Sequence, residues 1–445
     1  MKRILTVAGS DSGGGAGIQA DLKAITVLGG YGLSVITALT AQNTVGVQAV
    51  HPVPIGFIEQ QLDSVLSDIG ADAAKTGMLA TPEIVEVVAD GLNRYNIEPL
   101  VVDPVMVAKS GDSLLSEAAR KTLKTALLPL AAVVTPNLPE AAVLCGRPVK
   151  NLDDMREAAR RIYDLGPDNV VIKGGHLEGR AVDLLFDGVS FETLEAPRLN
   201  QRNTHGTGCT FSAALATILA EGEQITEALQ KAKKFITRAI AAGLDIGAGH
   251  GPTNPYAHIM VLQERESVLA ELKKALGFLI QKQMGGMIPE VRSNLGYALP
   301  GALDYQEVAG FPGRISQVGN EVFAYREPAF GASRHIARVI LAAMKHKPQL
   351  RAAMNIRYNL EILTACKKIG LHTASFDRNQ EPKDVKEQEG SSLEWGTSAA
   401  LEEMEELPDL VYDEGDVGKE PMIRILGKNP MEVVEKINRI KEALG

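Results

Sequence analysis

Cysteine is scarce: Cys145, Cys209 and Cys366 lie far apart in 445 residues. They form no disulfide framework and show no zinc-site spacing, so a reducing compartment is expected. Long apolar runs are missing as well, and no stretch is long enough to span a bilayer. The short run Ile4 to Ala8 after Met1-Lys2-Arg3 stops in glycines, which suits a first strand better than a signal peptide. Positive charge is in deficit, with 46 Lys and Arg against 55 Asp and Glu; the net charge of -9 argues against a general nucleic-acid binder. No glycine loop ends in Gly-Lys-Ser/Thr, which argues against a P-loop. What remains is a composition of 45% hydrophobic and 23% charged residues, that of a globular protein. The length suggests two domains, and a cytoplasmic protein is expected.

In the first half, short apolar strands alternate with helical segments. Ile4–Ala8 leads into the glycine loop Gly9 to Gly17 and then a helix from Ile18. That order admits a dinucleotide fold, but no acidic residue ends the next strand as that fingerprint requires. A loop that wraps a small substrate, with Asp21 nearby, is the other reading. Later strands end at Gln42, Asp103, Thr135-Pro136-Asn137-Leu138-Pro139-Glu140 and Lys173. Polar residues gathered at strand C-terminal ends predict a parallel α/β sheet with its ligand at that edge. Asp103 and Glu140 suit Mg²⁺, which bridges carboxylates to nucleotide phosphates. Lys173 suits the phosphates themselves, and the Gln42 amide offers a donor beside an acceptor.

The stretch Asn203-Thr204-His205-Gly206-Thr207-Gly208-Cys209-Thr210 runs straight into an apolar helix. Its glycines permit close approach to the backbone, and unpaired N–H groups at a helix start hold phosphate. Cys209 stands at that mouth, where a lowered pKa is expected. The Gly/Pro run Gly247 to Pro255 closes the first domain, placing domains at 1–260 and 261–445.

These residues carry a resemblance. Val7 to Asp21, Thr40-Ala41-Gln42-Asn43, Lys75-Thr76-Gly77-Met78, Asp103-Pro104-Val105-Met106, Thr135 to Glu140, Lys173-Gly174-Gly175-His176 and Gly206-Thr207-Gly208-Cys209 resemble, in order, the motifs of hydroxymethylpyrimidine/phosphomethylpyrimidine kinases. Those are ribokinase-like enzymes of thiamine biosynthesis. The resemblance implies two ATP-dependent phosphorylations of a hydroxymethyl aminopyrimidine. It assigns the catalytic loop to Gly206, Thr207, Gly208 and Cys209, with Cys209 as base. It assigns the pyrimidine to Gln42, Gly9, Asp21 and Met78, the nucleotide to Lys173 and Asn137, and Mg²⁺ to Glu140 and Asp103. Many sugar kinases of this fold carry aspartate where Cys209 stands.

The second half is read as another α/β domain. It resembles the thiamine-phosphate synthase domain found fused behind such kinases, which is not the TIM-barrel synthase. Ser293 to Ala298, Pro312-Gly313-Arg314-Ile315, Gly331-Ala332-Ser333-Arg334-His335 and Gly418-Lys419-Glu420-Pro421 carry that likeness. Ser333 is a plausible N-cap, leaving Arg334 and His335 in a first turn where cations oppose the helix dipole unless an anion visits. By the resemblance this domain joins pyrimidine diphosphate to thiazole phosphate, with Arg314, Arg334 and His335 receiving the departing pyrophosphate. The charged stretch Glu381 to Glu389 reads as a solvated loop. A rival reading makes the second domain a thiamine-phosphate sensor, and another gives the kinase pyridoxal. Small-molecule substrates, no nucleic acid, no membrane and a homo-oligomer are expected.

Overall fold

The computed structural model describes all residues except 107–114, 176–180, 197, 200, 383–390, 403–407 and 417–419. His176, Gly418, Lys419 and most of the charged stretch 381–389 therefore lie outside the described residues. The chain divides into two units, Met1–Ile259 and Met260–Gly445.

In the first unit the short β-branched runs become strands because their alternate residues bury on opposite faces of one sheet. The strands are β1 (Arg3–Asp11), β2 (Tyr31–Gln42), β3 (Val47–Pro52), β4 (Ala73–Thr76), β5 (Leu100–Val102), β6 (Val133–Val134), β7 (Val170–Ile172), β8 (Ala181–Phe186) and β9 (Phe191–Ala196). They lie in the order β3-β2-β1-β4-β5-β6-β7-β8-β9. The pairs from β2 to β7 are parallel, and β3, β8 and β9 run antiparallel at the edges. The hairpin to β3 extends the second strand beyond the Ser34–Thr40 run read from sequence.

The helices are α1 (Gly17–Val27), α2 (Ile55–Asp68), α3 (Pro82–Arg94), α4 (Glu117–Thr122), α5 (Leu138–Cys145), α6 (Leu152–Tyr163), α7 (Thr207–Ala220), α8 (Ile225–Ala241) and α9 (Ala257–Gln281), the last crossing into the second unit. Leu5, Val7, Leu100 and Val102 pack with residues of α2, α3, α5 and α6. Ile4, Val101, Val133 and Val171 pack on the other face with α1, α7 and α8. With both faces covered, the ligand-accessible edge is the one at the strand C-termini.

The second unit is also α/β, but its sheet is largely antiparallel. Strands β10 (Leu295–Ala298), β11 (Val308–Gly310), β14 (Ala329–Phe330), β15 (Ala352–Arg357), β16 (Thr373–Ser375), β17 (Leu410–Asp413) and β18 (Met422–Gly427) lie in the order β14-β11-β10-β15-β18-β17-β16. Only the edge pair β16–β17 is parallel. A separate hairpin joins β12 (Ile315–Val318) and β13 (Glu321–Ala324). Leu295, Met354, Ile356, Ile423 and Ile425 face the long α9 and the helices Leu360–Lys368 and Pro430–Leu444. Ala298, Ala353, Val411 and Leu426 face the helices Arg334–His346 and Ser391–Glu402. Among the described residues no helix is long and apolar enough to cross a membrane.

Candidate active site

The strand C-termini of the first unit and the loops beyond them open on a cavity of about 820 Å³. Gly9, Gln42, Met78, Asp103, Asn137, Glu140, Lys173 and the whole run Gly206, Thr207, Gly208 and Cys209 line it. Residues spread over 200 positions of sequence are thus gathered at one edge by the parallel topology.

Thr207 begins α7, with Gly206 before it in a left-handed conformation at φ 77°. A side chain at 206 would run into the Gly15 carbonyl, so the two glycine loops close on each other only through glycine. A Cβ at Gly208 would stand 3.3 Å from Asp103 Oδ2 and 3.4 Å from Lys173 Nζ. The first-turn N–H groups of α7 therefore meet the cavity beside those charges, where they can hold a phosphoryl group.

Lys173 Nζ donates to Asp103 Oδ1 at 2.9 Å. Burial works to lower the Lys173 pKa, but Asp103 and then Glu140 raise it above its ordinary value. Glu140 does two things at once. Its Oε2 accepts from Asn137 N at 2.8 Å while Asn137 Oδ1 accepts from Glu140 N at 2.9 Å, closing a capping box on α5. Burial pushes its carboxyl up to about 7; Lys173 opposes this and Asp103 adds to it. Two carboxylates thus share one electronegative corner of the cavity.

Cys209 departs from expectation. Its thiol is pushed up to about 11 rather than down, first by burial and then by the carboxylates of Asp21 and Asp103, while Lys75 opposes. The helix start does not outweigh the loss of water. Asp21 is a second correction: it does not line the cavity. It is fully buried and accepts from Lys75 Nζ at 2.8 Å and from Thr6 Oγ1 at 2.6 Å. Lys75, also fully buried in its own right, is what lines the cavity. Burial would lower its pKa, but Asp21, Cys209 and Asp103 together raise it, so it stays charged.

Sequence reasoning missed Lys75, Asp11 and His205. Lys75 stood in a quoted motif, where a lysine at a strand end reads as solvated. Asp11 organises the first glycine loop, accepting from Gly13 N at 2.8 Å, Gly15 N at 3.1 Å and Ala16 N at 2.8 Å. His205 Nε2 lies 3.0 Å from Asp11 Oδ2 and 3.3 Å from the Gln42 amide. Burial would raise the Asp11 pKa, but the bonds from His205, Ala16 and Gly13 hold it below its ordinary value.

In the second unit Arg334 and His335 do open a helix, behind Ser333, whose side chain makes no cap bond. Arg334 donates to Tyr305 Oη at 3.3 Å and stacks over that ring at 4.9 Å. Arg314 is exposed, holds a left-handed backbone at φ 71° and donates to the Val291 carbonyl. His335 is the third correction. Desolvation, then the charges of Arg424, Arg314, Arg378 and Arg338, push its imidazole down to about 4. Solvent reaches its exposed side and tempers the shift, but the ring is neutral near pH 7 and supplies a donor or acceptor rather than charge. Behind it, Asp413 Oδ1 accepts from Arg378 Nε at 2.6 Å and Asp413 Oδ2 from Arg424 Nη1 at 2.7 Å, all three buried.

The family model for phosphomethylpyrimidine kinase matches residues 11–254. The chain belongs to the phosphomethylpyrimidine kinase family. A second family model, thiamine-phosphate synthase ThiN, matches residues 271–439. The hydroxymethylpyrimidine/phosphomethylpyrimidine kinase of Bacillus subtilis is 48% identical over 257 residues, 57% of this chain and 95% of that protein. The thiamine biosynthesis bifunctional protein ThiED of Geobacter sulfurreducens is 54% identical over 262 residues, 59% of this chain. The chain spans only about half of that bifunctional relative, 53% of its length. Among solved structures, the ADP complex of Bacillus subtilis pyridoxal kinase superposes with a TM-score of 0.55 at 43% identity, covering 58% of this chain and 98% of that one. The region matched by the kinase model thus precedes the region matched by the synthase model in one chain.

Proposed function

We propose that the first unit phosphorylates 4-amino-5-hydroxymethyl-2-methylpyrimidine to its mono- and diphosphate. The second unit then condenses the diphosphate with hydroxyethylthiazole phosphate, releasing pyrophosphate and giving thiamine phosphate. The observation that carries the kinase reading is the single cavity that joins Gln42, Asp103, Glu140, Lys173 and the start of α7. In the first step the hydroxymethyl oxygen bonds to the γ-phosphorus of ATP as the bond to ADP breaks. The N–H groups at Gly206 to Cys209 hold the group in flight. Lys173 and Asn137 face the nucleotide, while Gln42, Gly9 and Met78 face the pyrimidine.

Asp103 and Glu140 fit Mg²⁺. They form an acidic pair without a third carboxylate, and no cage of three His, Cys, Asp or Glu side chains occurs among the described residues. Mg²⁺ commonly takes one or two carboxylates and completes its shell with water and phosphate. Bound there, it would neutralise charge on the ATP phosphates. The hydroxyl proton is assigned to Cys209, which must first lose its own; burial and the carboxylates oppose that loss and Lys75 favours it. Arg314 and Arg334 serve the leaving pyrophosphate as charges, His335 as a neutral hydrogen-bonding group.

The three free cysteines suit the cytoplasm. Leu39, Val50, Ile55 and Phe57 are exposed apolar residues of the first unit; they support a homo-oligomer, which light scattering checks. Purified protein supplied with ATP, Mg²⁺ and hydroxymethylpyrimidine should accumulate the monophosphate and then the diphosphate. Phosphorylation of pyridoxal but not of the pyrimidine would overturn the substrate.

A further inference from the structure

We propose that His205 sets which way round the Gln42 amide is held, and thereby makes the site read an aminopyrimidine and reject its oxo counterpart. The inference rests on the substrate class proposed above and names the residue that enforces it.

The Gln42 backbone is pinned: its N–H donates to Ser12 Oγ and its carbonyl accepts from that hydroxyl, both at 2.9 Å. Only the side-chain amide is left to choose an orientation, and its oxygen and nitrogen exchange places by a half-turn about Cγ–Cδ. Two neighbours decide between the two. The Asp11 carboxylate already takes three backbone N–H bonds and can only accept. His205 Nε2, 3.0 Å from it, must therefore carry the proton. On the other side, Thr40 Oγ1 lies 3.0 Å from the Ser10 carbonyl, which also can only accept, so the Thr40 hydrogen goes there.

With the amide nitrogen beside His205 at 3.3 Å and the amide oxygen beside Thr40 at 3.2 Å, donor faces donor and acceptor faces acceptor. The half-turn makes both contacts productive. Gln42 Oε1 then shares the His205 N–H, and Gln42 Nε2 donates to Thr40 Oγ1. One lone pair of Oε1 and one hydrogen of Nε2 remain for the cavity, which Thr40, Gln42, Asp11 and His205 all line. The free acceptor faces a substrate amino group and the free donor faces the adjacent ring nitrogen. An oxo-pyrimidine presents a carbonyl and a ring N–H at that edge, and both would be mismatched. The imidazole is locked in place because its edge packs where a Cβ on Gly15 would sit.

Calorimetry would measure dissociation constants of the 4-amino and 4-oxo hydroxymethylpyrimidines for the full chain and for His205→Ala, His205→Gln and Thr40→Val. Beside the Asp11 carboxylate, a glutamine at 205 must also turn its N–H₂ inward, so it should preserve the amino/oxo ratio. His205→Ala frees the amide to rotate, and the ratio should fall by about tenfold or more. Thr40→Val removes the other anchor and should shift the ratio in the same direction, which keeps the test available if His205→Ala does not fold. A merely structural histidine would weaken both ligands alike. Ratios within about twofold of wild type in both His205→Ala and Thr40→Val would overturn the inference; so would a collapse in His205→Gln equal to that in His205→Ala. Failure of the wild-type chain to bind the aminopyrimidine would instead overturn the substrate reading.

Discussion

At the scale of single residues, the first unit surrounds one half-buried thiol with charge of both signs. Cys209 sits near Lys75, which would favour a thiolate, yet burial and the Asp21 and Asp103 carboxylates win and push it up to about 11. With Cys145 and Cys366 replaced by serine, alkylation of Cys209 by iodoacetamide should be slow at pH 7 and climb about tenfold per pH unit to beyond pH 10, because only the thiolate reacts. A rate that levels off below pH 8 would show a lowered pKa instead. His335 gives a prediction of opposite form. Its folded pKa of about 4 lies below the ordinary 6.5, so the folded chain binds fewer protons between those values. Its contribution to stability is complete above pH 6.5 and is lost as pH falls toward 4. His335→Asn should flatten that part of the unfolding profile, followed by denaturant titration at several pH values; an unchanged slope would contradict the assignment.

At the scale of elements, the first sheet was legible because alternation of short β-branched runs with helices leaves few topologies. That the polar residues following β5, β6 and β7 gather at one cavity was legible for the same reason. Pairings between distant segments were not. Nothing in the sequence tells that Asp21 turns away from the cavity to hold Lys75, since a carboxylate on the first turns of a helix behind a glycine loop suits either role. Nor does it tell that His205 meets Asp11 across 194 positions. The lowered pKa of His335 comes first from burial and then from arginines on other elements, Arg424 and Arg378 among them. Those arginines share Asp413 at the end of β17, and the carboxylate is what makes their burial tolerable. Asp413→Asn would leave two buried guanidinium groups against a neutral amide, at a cost of about 3–5 kcal/mol. The loss should appear as a lower unfolding midpoint of the second unit with the first unaffected; a change below about 1 kcal/mol would show that other groups neutralise the pair.

At the scale of the whole molecule, the two chemistries proposed for this chain are assigned to separate residues. Arg314→Ala in the full-length protein should slow the condensation step by about a hundredfold, the usual effect of removing one donor to developing charge. ATP-dependent formation of the pyrimidine diphosphate by the same preparation should stay near wild type, because distant sites behave additively. Equal loss of both steps would mean that the substitution acts through folding. The measurement that tests the account most directly is one reaction, containing the full-length protein, ATP, Mg²⁺, hydroxymethylpyrimidine and hydroxyethylthiazole phosphate, followed for products over time. The account predicts pyrimidine monophosphate, then diphosphate, then thiamine phosphate with an equal amount of pyrophosphate. Diphosphate that accumulates with no thiamine phosphate, in protein whose second unit is folded and binds thiamine phosphate, would contradict it and make that unit a sensor.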